Sequence, residues 1–193
     1  LPLDFDPGQR YAYSNYGYCL LGRVIEKLTG ESYAAYVKQH VLAPCGVTRM
    51  EIGATRLPGR RSDEVRYYDP NVTTSVFAAD LNQRVPAPYG AFHLEAMDAH
   101  GAWIASAIDL VRFASILDDP DNCPLLSKEA IETMLTRPEG LAGYDSEGKP
   151  KRVAYANGWQ IVYDGDGKPR YVQHGGALAG TNTKLVHRAD GIN

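Results

Sequence analysis

The stretch Phe5-Asp6-Pro7-Gly8-Gln9-Arg10-Tyr11-Ala12-Tyr13-Ser14-Asn15-Tyr16-Gly17-Tyr18 decides how the chain folds and what it can do. Tyr13 and Asn15 stand two residues apart, directly ahead of an apolar helical run. A short turn at that spacing aims a phenol and a carboxamide into one cleft. An activated phenol can pass a proton, and an amide offers both a donor and an acceptor to a substrate. Taken alone, the same three residues read equally well as a turn whose Asn caps the helix.

Working outward, residues 17–28 carry Tyr18, Leu21, Ile25 and Leu28 at helical spacing, and Gly30 is placed to end the helix. Ser32 is placed to cap a second helix with Tyr33, Tyr36, Val37 and Val41 on its inner side, stopped by Pro44. Residues 51–99 are rich in Arg, Asp, Pro and Gly, and are expected to form long loops around one short strand at 65–68. Ser106 and Asp109 are spaced as a capping box for a helix bearing Leu110, Phe113 and Leu117, which makes Asp109 a capping group and not an acid catalyst. Ser127 caps another helix, with Ile131, Met134 and Leu135 inward. The period then changes. Trp159, Ile161 and Tyr163 alternate as in a strand. Asp164-Gly165-Asp166-Gly167-Lys168 turns the chain, residues 170–174 return beside it, and 183–187 form a third strand before a turn at Arg188-Ala189-Asp190-Gly191.

The composition bounds the function. At 193 residues, with 44% hydrophobic and 22% charged, the chain has the make-up of a globular domain with a sizeable core. A net charge of -3 gives no pull toward nucleic acid, and no apolar run reaches the ~20 residues that span a bilayer. Thirteen Tyr against four Phe suit a wide, partly wet cleft. Cys19, Cys45 and Cys123 make no Cys-x-x-Cys, and the five His show no metal-ligand spacing, so neither a metal nor a cofactor is expected.

The order of these motifs resembles the serine β-lactamase-like family. It is closest to the branch of class C β-lactamases, D-alanyl-D-alanine carboxypeptidases and family VIII esterases, which share a penicillin-binding-protein-like fold. The resemblance rests on Phe-x-Pro-Gly and Tyr-Ser-Asn, followed by Gly17-Tyr18, Leu20-Leu21-Gly22, Ile25-Glu26, Thr29-Gly30 and Tyr33. It continues in Gly101-Ala102-Trp103-Ile104-Ala105-Ser106-Ala107-Ile108-Asp109-Leu110 with Phe113, and in Gly158-Trp159 with His174-Gly175-Gly176 and Gly180. It implies an α+β fold, with a helical lobe packed with part of an antiparallel sheet. One β-lactamase-like domain would cover 1–193, with the helical lobe and cleft loops in 1–140 and the strands in 150–193.

The family's nucleophile is a Ser in Ser-x-x-Lys, upstream of Tyr-x-Asn. No Ser stands among the twelve residues ahead of Tyr13. The literal match Ser146-Glu147-Gly148-Lys149 lies downstream, between Gly143 and Pro150, where a turn is expected. A Ser–Lys pair needs a helix to bring the amine one turn on to the hydroxyl. The expectation is therefore a fragment, truncated at both ends, that is inactive without an upstream nucleophile. Its missing strands would leave sheet edges open to self-association. The segment around Leu1 does not read as a signal peptide, and the compartment, periplasmic or secreted or cytoplasmic, is left open.

The resemblance also implies roles. Tyr13 would be the general base and then acid, Asn15 would hold the substrate's acyl amide, and Ser14 between them would not be a nucleophile. Phenols ionise near ~10, so such a base needs cations close by, here the absent Lys and His174. His174 takes the place of the Lys in Lys-Thr-Gly. Gly175 and Gly176 would let a substrate backbone approach, and the Ala177 N–H would be an oxyanion donor. Tyr89, Phe92 and Glu95 would sit on the cleft rim. Gly175 in place of Thr removes a hydroxyl that helps bind the β-lactam carboxylate, and His174 is neutral more often than Lys; both departures favour an esterase or a peptidase of broad specificity over an enzyme for anionic β-lactams. Two rival readings remain at this point. One is a non-catalytic module that binds acyl or peptidoglycan-like ligands; the other is an unrelated enzyme using Ser146 or another Ser.

Overall fold

The computed structural model describes residues 2–193. The chain divides into two compact units. One comprises residues 14–109 and 175–183; the other comprises residues up to 13, 110–174 and 184–193.

The first unit opens with helix α1, Asn15–Thr29. Its N-cap is Ser14, in extended conformation, whose hydroxyl accepts from the Gly17 N–H at 3.0 Å. The cap expected of Asn15 therefore belongs to Ser14. Gly30 ends the helix in the left-handed region at φ 76°, returning its N–H to the Glu26 carbonyl. The buried face differs from the expected one. Leu21 and Leu28 are 55% and 80% exposed, and Gly22 is the buried residue. α1 lies so close to the 3-10 segment Leu94–His100 that a Cβ on Gly22 would stand 2.5 Å from the Ala99 methyl. A missing side chain, not an apolar one, sets the packed face, and Arg23 reinforces it by donating to Asp98 at 2.5 Å.

Helix α2, Tyr33–Val37, is capped by Ser32 as expected. It runs on through a π-helical turn, Lys38–Leu42, and a 3-10 turn, Ala43–Cys45, that ends at Gly46 with φ 68°. Leu42, the last residue of the π-helical turn, and Val47 are buried.

Residues 51–99 are more structured than loops. Strands β1 (Glu51–Ile52), β2 (Val72–Thr74), β3 (Arg84–Pro86) and β4 (Trp103–Ile104) form two antiparallel pairs, β1 with β4 and β2 with β3. The strand expected at 65–68 does not form. There the Tyr67 N–H donates to the Tyr89 hydroxyl, which donates in turn to the Tyr67 carbonyl, both at 2.9 Å. A side chain thus takes the backbone groups that a partner strand would have paired.

Helix α3 (Ala107–Ser115) begins with the expected capping box. Asp109 N–H donates to Ser106 Oγ at 3.1 Å, and Ser106 Oγ donates to Asp109 Oδ2 at 2.7 Å.

In the second unit, α4 (Lys128–Leu135) is capped by Ser127 and buries Ile131. A short α5 (Gly140–Gly143) follows. Strands β5 (Val153–Ala156), β6 (Trp159–Tyr163), β7 (Pro169–Leu178) and β8 (Thr181–Arg188) form one sheet in sequence order, with residues 175–183 of β7 and β8 counted in the first unit. Asn157 and Gly158, at φ 47° and 91°, make the two-residue turn between β5 and β6. Asp164 Oδ1 holds the next turn by accepting from the N–H groups of Asp166 and Lys168. Ala154, Ile161 and Val172 stand opposite one another across three strands, and they pack with Leu117, Ile131 and Trp159. The expected third strand and the turn at 188–191 are present, the turn closed by Gly191 N–H donating to the Arg188 carbonyl.

Candidate functional site

Tyr13 sits two residues before α1 and is 62% exposed. Its ring meets the edge of Tyr155 with centroids 6.5 Å apart and planes at 82°. Tyr155 comes from the third position of β5. Its hydroxyl lies 2.9 Å from Nε2 of His174, and the two rings stand 5.9 Å apart at 70°. Tyr11 covers another side of Tyr155, with centroids at 5.4 Å. Within the sheet-bearing unit, Tyr13 and His174 thus both pack on one phenol. The arrangement offers a hydroxyl and an imidazole at hydrogen-bond distance beside a solvent-reachable phenol, the groups that proton transfer and substrate orientation use.

The other expected residues belong to the helical unit. Asn15 is the first residue of α1, and Ser14 beside it spends its hydroxyl on the helix cap. Gly175, Gly176 and Ala177 continue β7 beyond His174 and are exposed. A Cβ on Gly176 would meet the Thr183 hydroxyl at 3.1 Å, while one on Gly175 would make only an ordinary contact. Gly180 turns β7 into β8 at φ 72°, and any side chain there would press on the Tyr67 Cβ and Tyr68 backbone at 3.0 Å. Its N–H donates to Asp69 Oδ2 at 3.1 Å. The backbone N–H of Asn71, together with that of Gly180, holds the Asp69 carboxyl below its ordinary range.

Tyr89, Phe92 and Glu95 are engaged within that unit. The Tyr89 hydroxyl serves the Tyr67 backbone and accepts from Arg60 at 3.2 Å. Glu95 accepts from the Thr55 N–H at 3.2 Å, and the buried Thr55 hydroxyl lies 3.2 Å from both Glu95 Oε2 and the Phe92 carbonyl. Arg60 and Glu64, each with a 5% exposed side chain, pair at 2.9 Å, with the guanidinium over the Tyr67 and Tyr89 rings.

Ser146 stands on a turn, not a helix. Asp145 Oδ1 gathers the N–H groups of Glu147 and Lys149, and Gly148 has φ 77°. The Lys149 amine is 72% exposed and pairs with Glu147 at 2.7 Å. Among the described residues no group of three or more His, Cys, Asp or Glu is placed to hold a metal, and no helix is long and apolar enough to cross a membrane.

Sequence reasoning missed Tyr155. The signal was present in Ala156-Asn157-Gly158-Trp159, since Asn-Gly between β-forming residues marks a tight hairpin. That hairpin places Tyr155 on a strand of the sheet that carries His174.

Helices with antiparallel sheets in this order form a β-lactamase/transpeptidase-like fold. The beta-lactamase family model matches residues 1–191, and the chain belongs to that family. It is 28% identical to Penicillin-binding protein 4* of Bacillus subtilis over 189 residues, which is 96% of this chain and 39% of that protein. It is 30% identical to Penicillin-binding protein 4 of Amycolatopsis lactamdurans, covering 92% of this chain and 44% of that one. The chain thus spans less than half the length of these curated relatives. Among solved structures, the octameric penicillin-binding protein homologue from Pyrococcus abyssi aligns at TM-score 0.66 and 25% identity, over 96% of this chain and 37% of that one. The penicillin-binding protein from Bacillus halodurans aligns at TM-score 0.71 and 19% identity, over 98% and 51%, which supports the fold.

Proposed function

We propose that this chain supplies the Tyr-x-Asn and His-Gly-Gly part of a serine acyl hydrolase, acting on small esters, amides or β-lactam-type compounds. The observation that supports this best is the packing of Tyr13 and His174 on the same residue, Tyr155. Family membership and the penicillin-binding-protein relatives agree with it.

In this reading the nucleophile is a Ser of a Ser-x-x-Lys segment outside these 193 residues. Tyr13 takes the Ser proton as the hydroxyl attacks the acyl carbon, and later delivers it to the leaving group. Asn15 holds the acyl side, and the Ala177 N–H donates to the carbonyl oxygen as negative charge develops there. Gly175 and Gly176 keep β7 open to a substrate backbone. Ser14 and Ser146 have no part in the chemistry, because one caps α1 and the other sits on a turn. Self-association belongs to the same proposal. β5 and β8 end the sheet, and an open edge can pair with a second copy.

The test uses a protein that joins this chain to its Ser-x-x-Lys segment. Tyr13→Phe is expected to lower kcat by roughly 10²–10⁴-fold, the usual worth of a positioned acid–base group. Thermal stability should hold, because the hydroxyl belongs to a 62% exposed side chain. An unchanged kcat would remove Tyr13 from the mechanism, whereas ligand binding without any turnover in the joined protein would favour the binding module.

A further inference from the structure

We propose that Tyr155 is a positioning residue of this site, one that fixes His174 in its Nδ1–H tautomer and withholds Nε2 from base chemistry. The inference rests on the hydrolase reading above for its functional meaning, but its physical core stands apart from it. The phenolic oxygen of Tyr155 lies 2.9 Å from His174 Nε2, a full hydrogen bond. A neutral imidazole carries one N–H and one bare acceptor nitrogen, so the partner at one nitrogen decides what the other can do. A phenol is a far better donor than a neutral imidazole N–H, and the bare imidazole nitrogen is a far better acceptor than a phenol oxygen. The proton therefore sits on the Tyr155 oxygen and points at Nε2. His174 is left with its own proton on Nδ1.

Two consequences follow for the chemistry. Nε2 is engaged, so His174 is not the group that takes the nucleophile's proton, and that duty stays with Tyr13. Nδ1–H becomes a fixed donor where the family's pattern has a Lys. His174 thus contributes a directed hydrogen bond, toward an acyl oxygen or carboxylate of the substrate. The packing makes Tyr155 suited to hold this geometry. Tyr11 at 5.4 Å and Tyr13 at 6.5 Å flank its ring, and β5 fixes its backbone through the register Tyr155 opposite Gln160. The same phenol therefore sets the place of Tyr13 and the tautomer of His174. Removing its oxygen while keeping its ring separates the two effects.

The experiment is two-bond ¹H–¹⁵N correlation of the histidine side chains in the ¹⁵N-labelled 193-residue chain, above the pH at which imidazole is protonated. His174 should show a pyridine-type Nε2 and a pyrrole-type Nδ1. In Tyr155→Phe both nitrogens should move toward the averaged shifts of exchanging tautomers, with the aromatic ring contacts to Tyr13 retained. A pyrrole-type Nε2 in the wild type, or an unchanged His174 pattern in Tyr155→Phe, overturns the proposal. The readout does not depend on turnover. Failure here would leave the hydrolase reading standing, and failure of Tyr13→Phe to lower kcat would leave the tautomer assignment standing. In the protein carrying the nucleophile segment, Tyr155→Phe should cost about 5- to 10-fold in kcat/KM, the worth of one neutral hydrogen bond. Tyr13→Phe should cost far more, and equal losses in the two variants would contradict the division of labour.

Discussion

The interior of the sheet-bearing unit and that of the helical unit are ordered by different physics. In the first, the centre is apolar and regular. Ile161 is fully buried, Val172 is 2% exposed, and Leu117, Ile131, Ala154 and Trp159 close around them. In the second, much of the interior order comes from side chains bonded to backbone and to one another. Thr55 is tied to Glu95, Phe92 and Leu94, Tyr89 to the Tyr67 backbone, and Ser75 to Asp80 at 2.7 Å. The lesson is that periodic burial tolerates local detail, whereas side-chain stitching depends on individual atoms. Tyr13 and His174 stand in the first kind of unit, and Asn15 with the glycines after His174 in the second.

The contrast can be broken at its strongest point first. Ile161→Ala should destabilise the sheet-bearing unit by ~2–5 kcal/mol, because it opens a cavity in a fully buried core. Chemical denaturation measures it, and a loss under 1 kcal/mol would mean that the core is loosely packed. Next, Tyr89→Phe removes one oxygen and no ring. It should cost about 1–3 kcal/mol by stranding the Tyr67 N–H and loosening Arg60. If this variant is as stable as the wild type, the stitching account of residues 51–99 fails.

The smallest effect concerns acid. The Asp69 carboxyl is held below its ordinary range by the Asn71 N–H and that of Gly180. A depressed folded-state value means stability that is present above the unfolded carboxylate value of ~3.9 and lost as pH falls through the folded one. Asp69→Asn should therefore remove a small part of the chain's stability at neutral pH and flatten the acid limb of its pH–stability curve below about pH 4. An identical acid limb in the two proteins would show that the Gly180 turn does not depend on this carboxylate.

The same contrast explains what could be seen in the sequence. Caps and periods were legible. Ser32, Ser106 with Asp109, and Ser127 sit where their spacing placed them, and Trp159, Ile161 and Tyr163 form the buried strand their alternation announced. The packed face of α1 was not legible, because it is set by the absence of a side chain at Gly22 against Ala99, and no apolar period marks a missing atom. Nor was the loss of the strand at 65–68, since it depends on a phenol 22 residues away. Tyr13 and His174 could be named as a pair from motif order. Tyr155, which packs against both, was missed: the Asn-Gly turn after it marks a hairpin in the sequence, but the turn carries no chemistry that singles out the Tyr.

The proposed function has Tyr13 and His174 serving a Ser-x-x-Lys nucleophile, with no serine of these 193 residues taking that role. Treating the chain with a fluorophosphonate and mapping the product by mass spectrometry tests it most directly. No labelled serine is expected on this chain, and a single labelled serine, in Ser-x-x-Lys, on a protein that joins the chain to that segment. Covalent labelling of Ser14, Ser146 or any other serine of the 193-residue chain would contradict it.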